Sequence, residues 1–344
     1  MSEIVKVLVV DDSAYVRKVV TQMLGRSPFI EVVGTSRDGE EALELARETQ
    51  PDVITCDLNM PVMDGVAFVK AQMAIQPIPI VIISIAAAAG EQVLAALDAG
   101  AVDFVQKPTA LATERLMDMA DELVEKVKAA ARAPRSALAP ALAGPVEVQL
   151  TEPRKGTFDV VVIGISTGGP QALKRIIPAL PADLPVPVGI VLHMPVGYTE
   201  MYAQKLDEQS ALHVVEAQEG MPLTAGTVYL APGGKHLSFV RQGGRVVTHL
   251  DLRPLDTPHR PSVDALFQSV AETYEQRVLG VVMTGMGSDG RDGSAWIKAR
   301  GGCILTESEE TCVVYGMPRS VVEAGLSDAV IPLDRMAQAI MERI

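Results

Sequence analysis

The chain has 344 residues, 48% of them hydrophobic and 21% charged. At roughly 150 residues per domain this length gives about two domains, each with apolar side chains enough for a core, and it excludes a disordered polar tail protein. Thirty Lys and Arg against 43 Asp and Glu leave a formal charge of −13, which opposes non-specific nucleic-acid binding because phosphates repel such a surface.

The acidity is uneven: net −9 over residues 1–128, +2 over 129–156 and −6 over 157–344. Cys56, Cys303 and Cys312 are too few and too scattered for a disulfide framework or a cysteine-rich zinc site. The expectation is reduced thiols in a cytoplasmic protein. The start lacks the basic, apolar and small-residue order of a signal peptide, and no apolar run approaches the 18 or so residues of a membrane span.

In chain order, the apolar, β-branched run 4–10 predicts a strand, and Asp11, Asp12 and Ser13 offer caps for a helix over 14–25. The alternation repeats. Strands are predicted at 30–34, 52–56, 79–83 and 102–105, and helices at 39–49, 65–73, 91–99 and 111–130. Five strand–helix alternations predict a parallel sheet with helices on both faces, which explains continuous apolar strands such as 80–83. Residues 129–156 shift to Ala and Pro, with Pro134, Pro140, Pro145 and Pro153 stiffening a linker. Leu138 and Leu142 offer apolar side chains for docking on a domain.

The third segment, 157–344, opens with a predicted strand at 158–164. Helices are predicted at 170–179, 199–209, 262–274 (capped by Ser262), 289–301, 317–324 and 334–342. Strands are predicted at 186–193, 214–217, 227–231, 237–241, 245–250, 278–285 and 302–307. This is a second α/β sheet with a hairpin inserted around 235–250.

Asp11 and Asp12 end the first strand and Asp57 ends the third. In an open α/β sheet, ligands bind outside the carboxyl ends of the strands where strand order reverses. Three carboxylates there suit a hard cation such as Mg²⁺. Ser84 ends the fourth strand and Lys107 the fifth. With these, the pocket can hold a metal, accept a phosphoryl group on a carboxylate and neutralise its charge. Taken singly, the aspartates read equally as helix caps and Lys107 as a surface charge. Asp11-Asp12-Ser13, Asp57 in CDLNMPVMDG, Ser84 and FVQKP (104–108) together resemble the receiver domain of two-component response regulators. The resemblance implies a flavodoxin-like (βα)5 fold. It implies that Asp57 accepts phosphoryl from a chemotaxis histidine kinase. It also implies that Asp11, Asp12, Asp57 and the backbone carbonyl of Asn59 hold Mg²⁺, that Ser84 and Lys107 contact the phosphoryl oxygens, and that Phe104 is the switch aromatic. Receivers of this family read S-S-L-T near the fourth strand's end, whereas this chain reads Ile83-Ser84-Ile85-Ala86. The hydroxyl at 84 is kept and its neighbours are lost.

In the second domain, Gly164-x-Ser166-x-Gly168 follows a strand and opens a helix. The glycines permit a tight turn that exposes the Ser166 hydroxyl, although the pattern alone is weak. A dinucleotide site is disfavoured, because Ser166 occupies the place of the glycine that lets pyrophosphate approach. His193 ends the next strand and can take the serine proton. Asp289, past a further strand end, can orient the imidazole; Asp292 is the rival orienter. His213, His236, His249 and His259 lie without convergent partners in the sequence pattern and read as solvated or structural.

GISTGGP (164–170), LHMP (192–195), YLAPGGKHL (229–237), PSVDALF (261–267) and VVMTGMGSDG (281–290) are similar to the catalytic domain of the chemotaxis protein-glutamate methylesterase family, CheB. With the receiver, the resemblance spans nearly the whole chain outside the linker. It implies a doubly wound α/β catalytic domain that hydrolyses γ-glutamyl methyl esters on chemoreceptors and, in many members, deamidates receptor glutamines. It implies a Ser166–His193–Asp289 triad, with Thr167 beside the nucleophile and the Met286 backbone N–H as oxyanion donor, and no cofactor in this half. Expected partners are methylated receptor cytoplasmic domains and the kinase, with no nucleic acid, no membrane insertion and recruitment to receptor arrays as a monomer. An unphosphorylated receiver is expected to cover the esterase site until phosphorylation shifts the population. A DNA-binding output, a serine hydrolase acting on another ester or peptide, and an inactive scaffold are the competing readings.

Overall fold

The computed structural model describes residues 4–85, 90–107, 113–134, 138 and 158–344, with only backbone described at 85 and 113–118. The chain divides into two compact units, Met1–Leu142 and Ala143–Ile344.

The first unit alternates strand and helix: β1 (Val5–Val10), α1 (Ala14–Leu24), β2 (Ile30–Ser36), α2 (Gly39–Thr49), β3 (Val53–Cys56), α3 (Gly65–Ile75), β4 (Ile80–Ile85), α4 (Gly90–Ala99), β5 (Asp103–Lys107) and α5 (Thr113–Ala130). All strands pair in parallel, in the order β2-β1-β3-β4-β5. α1 packs with α5, while α2 packs with α3 and α3 with α4. Both faces are thereby covered, so β3 and the start of β4 can be wholly apolar or buried. Ser13 caps α1 by accepting the Val16 N–H, which leaves the Asp11 and Asp12 side chains for other partners. Leu138 is buried. Leu142, Pro140, Pro145, Pro153, Pro108 and Ala86–Ala89 lie outside the described residues.

The second unit contains β6 (Val160–Ile165), α6 (Gly169–Ile176) running into a 3-10 turn (Ile177–Ala179), β7 (Val188–Leu192), α7 (Thr199–Glu208), β8 (His213–Glu216) and β9 (Thr227–Leu230). It continues with β10 (His236–Gln242), β11 (Arg245–Asp251), α8 (Val263–Tyr274), β12 (Val278–Val282), α9 (Arg291–Ala299), β13 (Cys303–Glu307), α10 (Met317–Glu323), β14 (Ala329–Ile331) and α11 (Leu333–Met341). Seven parallel strands run in the order β14-β13-β12-β6-β7-β9-β8, and β10-β11 is the antiparallel hairpin. β14 is absent from the sequence-based elements. It has three residues, and its central Val330 is exposed, so it carries no buried apolar run.

Strand order reverses at β6, the first strand of this sheet. Its neighbours are β7 on one side and β12 on the other. The start of α8 packs across β6, and a Cβ at Gly164 would lie 2.2 Å from Val263 Cγ1. Val263 is β-branched and stiff at χ1, so it has little room to yield. We expect Gly164→Ala to push α8 off the sheet at a cost of about 1–3 kcal/mol. Chemical denaturation followed by Trp296 fluorescence reports this, because the chain's single tryptophan lies on α9 of this unit.

Candidate functional site

In the first unit the register sets Val10 opposite Cys56, so Asp11 and Asp57 leave neighbouring strands side by side at the β1/β3 switch point. Lys107 Nζ reaches both, 2.7 Å from Asp11 Oδ2 and 2.7 Å from Asp57 Oδ1. Oxygens of Asp11, Asp12 and Asp57 lie within 4.8 Å of one another. The second Asp57 oxygen accepts the Asn59 N–H at 3.2 Å. Burial pushes the Asp11 carboxyl up, although Lys107 works against it. Burial opposes the Lys107 charge, but its hydrogen bonds to the two aspartates outweigh that and raise the ammonium overall. Ser84 and Phe104 are both buried. Lys126 of α5 lies 5.7 Å above the Phe104 ring and donates to the Phe104 carbonyl at 2.7 Å, a contact that the sequence alone does not signal.

In the second unit, three adjacent strand ends converge. Ile165 pairs with Leu192, and the His193 N–H donates to the Ile165 carbonyl at 3.2 Å. Ser166 and His193 therefore emerge opposite each other. On the other side the Ser166 N–H donates to the Thr284 carbonyl at 2.9 Å, beyond the end of β12. A Cβ added at Gly285 would lie 2.8 Å from Ser166 Cβ, so glycine is what lets the loop after β12 pass against the serine. Thr167 is buried and its carbonyl accepts the Thr284 hydroxyl. Met286 lies half-buried in the same loop.

His193 Nε2 lies 2.8 Å from Asp289 Oδ2, with both side chains about nine-tenths buried. The other ring nitrogen, Nδ1, is buried without a hydrogen-bond partner among the described residues. Asp292 instead pairs with Arg291 at the surface. Asp289 has further work. Its Oδ2 also accepts the Val263 N–H at 2.8 Å, and its Oδ1 accepts the Asp264 N–H and the Ser262 hydroxyl, each at 2.9 Å. Ser262 thus occupies the N-cap position but its hydroxyl donates to Asp289, whose carboxylate does the capping of α8 in its place. Burial pushes the Asp289 carboxyl up, but the hydrogen bonds from His193 and the helix amides outweigh it and hold it well below the usual carboxylate range. An ionised carboxylate only accepts, so His193 carries its proton on Nε2 and Nδ1 is the basic nitrogen.

Of the four remaining histidines, His259 departs from its sequence reading. Its ring stacks on His193, with centroids 4.1 Å apart and planes at 26°. His236 is buried and structural. It accepts the Ser262 N–H on Nδ1 and donates from Nε2 to the Pro254 carbonyl, and burial pushes the ring down. His213 and His249 are surface partners of Asp207 and Glu219. Glu307 is a further residue the pattern gave no reason to select. It is fully buried, it accepts the Thr284 N–H at 2.9 Å, and burial pushes its carboxyl up.

The family model for the CheB methylesterase matches residues 161–340. The protein-glutamate methylesterase/protein-glutamine glutaminase 5 of Myxococcus xanthus is 47% identical over 341 residues, covering 99% of this chain and 98% of its own length. The chain belongs to the CheB methylesterase family.

The receiver domain model of response regulators matches residues 7–121 of this CheB-family chain. The protein-glutamate methylesterase/protein-glutamine glutaminase of Halalkalibacterium halodurans is 44% identical, covering 100% of this chain and 99% of its own. The crystal structure of the Thermotoga maritima CheB methylesterase catalytic domain superposes with a TM-score of 0.53 at 42% identity, covering 55% of this chain and 100% of that one. Among the described residues, no helix is long and apolar enough to cross a membrane.

Replacing Asp289 by Ala in this CheB-family chain removes the cap of α8 as well as the partner of His193. We expect a loss of about 1–3 kcal/mol at neutral pH. The Asp289 carboxyl is depressed by folding, so its stabilisation is present above the unfolded value of about 3.9 and is lost as pH falls below it. The gap between wild type and Asp289→Ala in urea midpoint should therefore shrink from neutral pH to about pH 3.

Proposed function

We propose that this chain hydrolyses glutamate γ-methyl esters on chemoreceptor cytoplasmic domains, releasing methanol, and deamidates receptor glutamines, in sensory adaptation. Two observations support the class of reaction: the family membership and the double activity named for both relatives. The observation that carries the chemistry is the His193 ring. It is tied to Asp289 through Nε2 at 2.8 Å, its Nδ1 is buried with no hydrogen-bond partner among the described residues, and Ser166 stands on the strand end beside it.

Ser166 Oγ attacks the ester carbonyl while His193 Nδ1 takes its proton. Asp289 holds the ring and stabilises its charged form. The carbonyl oxygen, now negative, faces the 285–287 backbone, with the Met286 N–H as donor and Thr167 bordering the nucleophile. His193 returns the proton to the departing methoxide, which leaves as methanol. Water, activated by the same nitrogen, cleaves the acyl-serine to glutamate. For a glutamine the leaving group is ammonia. This half uses no cofactor.

The receiver supplies the control. Asp57 takes a phosphoryl group from the phosphohistidine of a chemotaxis histidine kinase: the phosphorus–nitrogen bond breaks and a phosphorus–oxygen bond forms on the carboxylate. Lys107 and Ser84 contact the phosphoryl oxygens, and Phe104 is the aromatic that responds. The clustered oxygens of Asp11, Asp12 and Asp57 form a donor set that fits Mg²⁺, with the Asn59 carbonyl as a further ligand. When bound there, the ion neutralises charge on the phosphoryl oxygens. The chain acts in the cytoplasm, recruited to receptor arrays.

Methanol release from methylated receptor cytoplasmic domains tests the esterase. Ser166→Ala is expected to fall by about 10³-fold or more, and an unchanged rate in a folded Ser166→Ala protein excludes the serine mechanism. Control is read with a small-molecule phosphodonor and Mg²⁺ on the full chain. The wild-type rate should rise, and Asp57→Asn should not respond. Equal rates with and without donor in the wild type contradict phosphorylation control.

A further inference from the structure

Asp264 sits in the first turn of α8, yet it caps the other helix. Its Oδ1 accepts the N–H of Gly290 at 2.9 Å and of Gly293 at 2.6 Å, the N-terminal amides of α9. The N-cap of α9 is Gly290, which has no side chain of its own to cap with. Asp289, just ahead of α9, caps α8 in return. Two helix N-termini and two carboxyl groups therefore share one place, and one of those carboxyls holds the His193 ring.

We propose that Asp264 is a positioning residue of this site, and that its protonation state sets how strongly Asp289 holds His193 and stabilises the ring when it is charged. The proposal deepens the serine-esterase reading and rests on it. Burial pushes the Asp264 carboxyl up to about 7; the Gly293 N–H works against this and the adjacent Asp289 adds to it. Of the two carboxyls, Asp264 is therefore the one pushed up and Asp289 the one held down. A protonated Asp264 donates toward Asp289 and draws its charge away from the imidazole. An ionised Asp264 offers no donor and adds a second negative charge, which favours the imidazolium formed as Ser166 attacks.

The other charged groups around Asp264 come from three elements. Asp292 and Arg291 stand on α9 and pair with each other. Glu272 comes from α8, and Arg253 and His259 from the loop before it, all lining with Asp264 and Asp289 a cavity of about 590 Å³. The cavity gives Asp264 a route for its proton to water.

Asp264→Asn separates this role from capping. Asparagine keeps the carbonyl oxygen for Gly290 and Gly293 and presents an N–H toward Asp289, as the protonated acid does. In the full chain, kcat/KM is measured between about pH 5 and 9. The two proteins are expected to agree near pH 6, with the wild type faster by roughly 3- to 10-fold above pH 8, the difference lying in kcat. Superimposable profiles overturn the proposal. A second measurement needs no turnover and no variant. In carboxyl-¹³C and imidazole-¹⁵N NMR of the wild type, the Asp264 carbon should titrate near neutrality and the His193 ring signals should move in the same step. An Asp264 inflection in the ordinary carboxylate range, or a His193 ring blind to it, overturns the proposal. A failure of the esterase reading is separately visible, as turnover that survives Ser166→Ala.

Discussion

Four hydrogen-bond donors converge on the two oxygens of Asp289: the His193 ring, the Ser262 hydroxyl and the N–H groups of Val263 and Asp264. A carboxylate so buried stays charged only because it is this fully satisfied. The same contacts fix α8 against β6, where glycine at 164 leaves space for Val263. They also fix the imidazole tautomer, so the basic nitrogen is the one free of Asp289. Fold and proposed chemistry here depend on a single ion, and removing it disturbs a helix terminus as well as a base.

Both units place their chemistry by the same rule. Parallel strands point all their carboxyl ends one way, and where the order reverses, the connecting helices diverge and leave a crevice. In the first sheet the crevice receives Asp11 and Asp57 from β1 and β3, held apart from mutual repulsion by one ammonium, Lys107. In the second it receives Ser166, His193 and Asp289 from β6, β7 and the loop after β12. The helix termini differ in use. Ser13 caps α1 locally, whereas α8 and α9 exchange caps across the crevice. That exchange makes a pair of carboxyls sensitive to one another.

The alternation of apolar strands and amphipathic helices is local information, and it carried the element order of both sheets. Strand ends could be read in the same way, which is why Asp11, Asp57, Ser166 and His193 stood out: each directly follows an apolar run, and Lys107 ends its strand one residue past Gln106. What escaped depends on tertiary proximity. β14 is too short and too exposed to show a pattern. His259 reaches His193 only through the fold of the loop before α8, and nothing in its neighbours announces that. Glu307 also ends a strand, but its partners, the Thr284 N–H and the Thr311 hydroxyl, are invisible in sequence. Ser262 showed the right residue type for a cap, and local pattern could not reveal that Asp289 from the far end of β12 takes that duty.

In the proposed mechanism Ser166 is the nucleophile and His193 Nδ1, on the neighbouring strand end, takes its proton. A fluorophosphonate probe, followed by peptide mass spectrometry, tests that claim at the atom concerned, because it forms a covalent bond only with an activated hydroxyl. One adduct is expected, on the peptide carrying Ser166, and it should be lost in His193→Ala. Labelling of another residue, or full labelling of Ser166 without the imidazole, would contradict the mechanism.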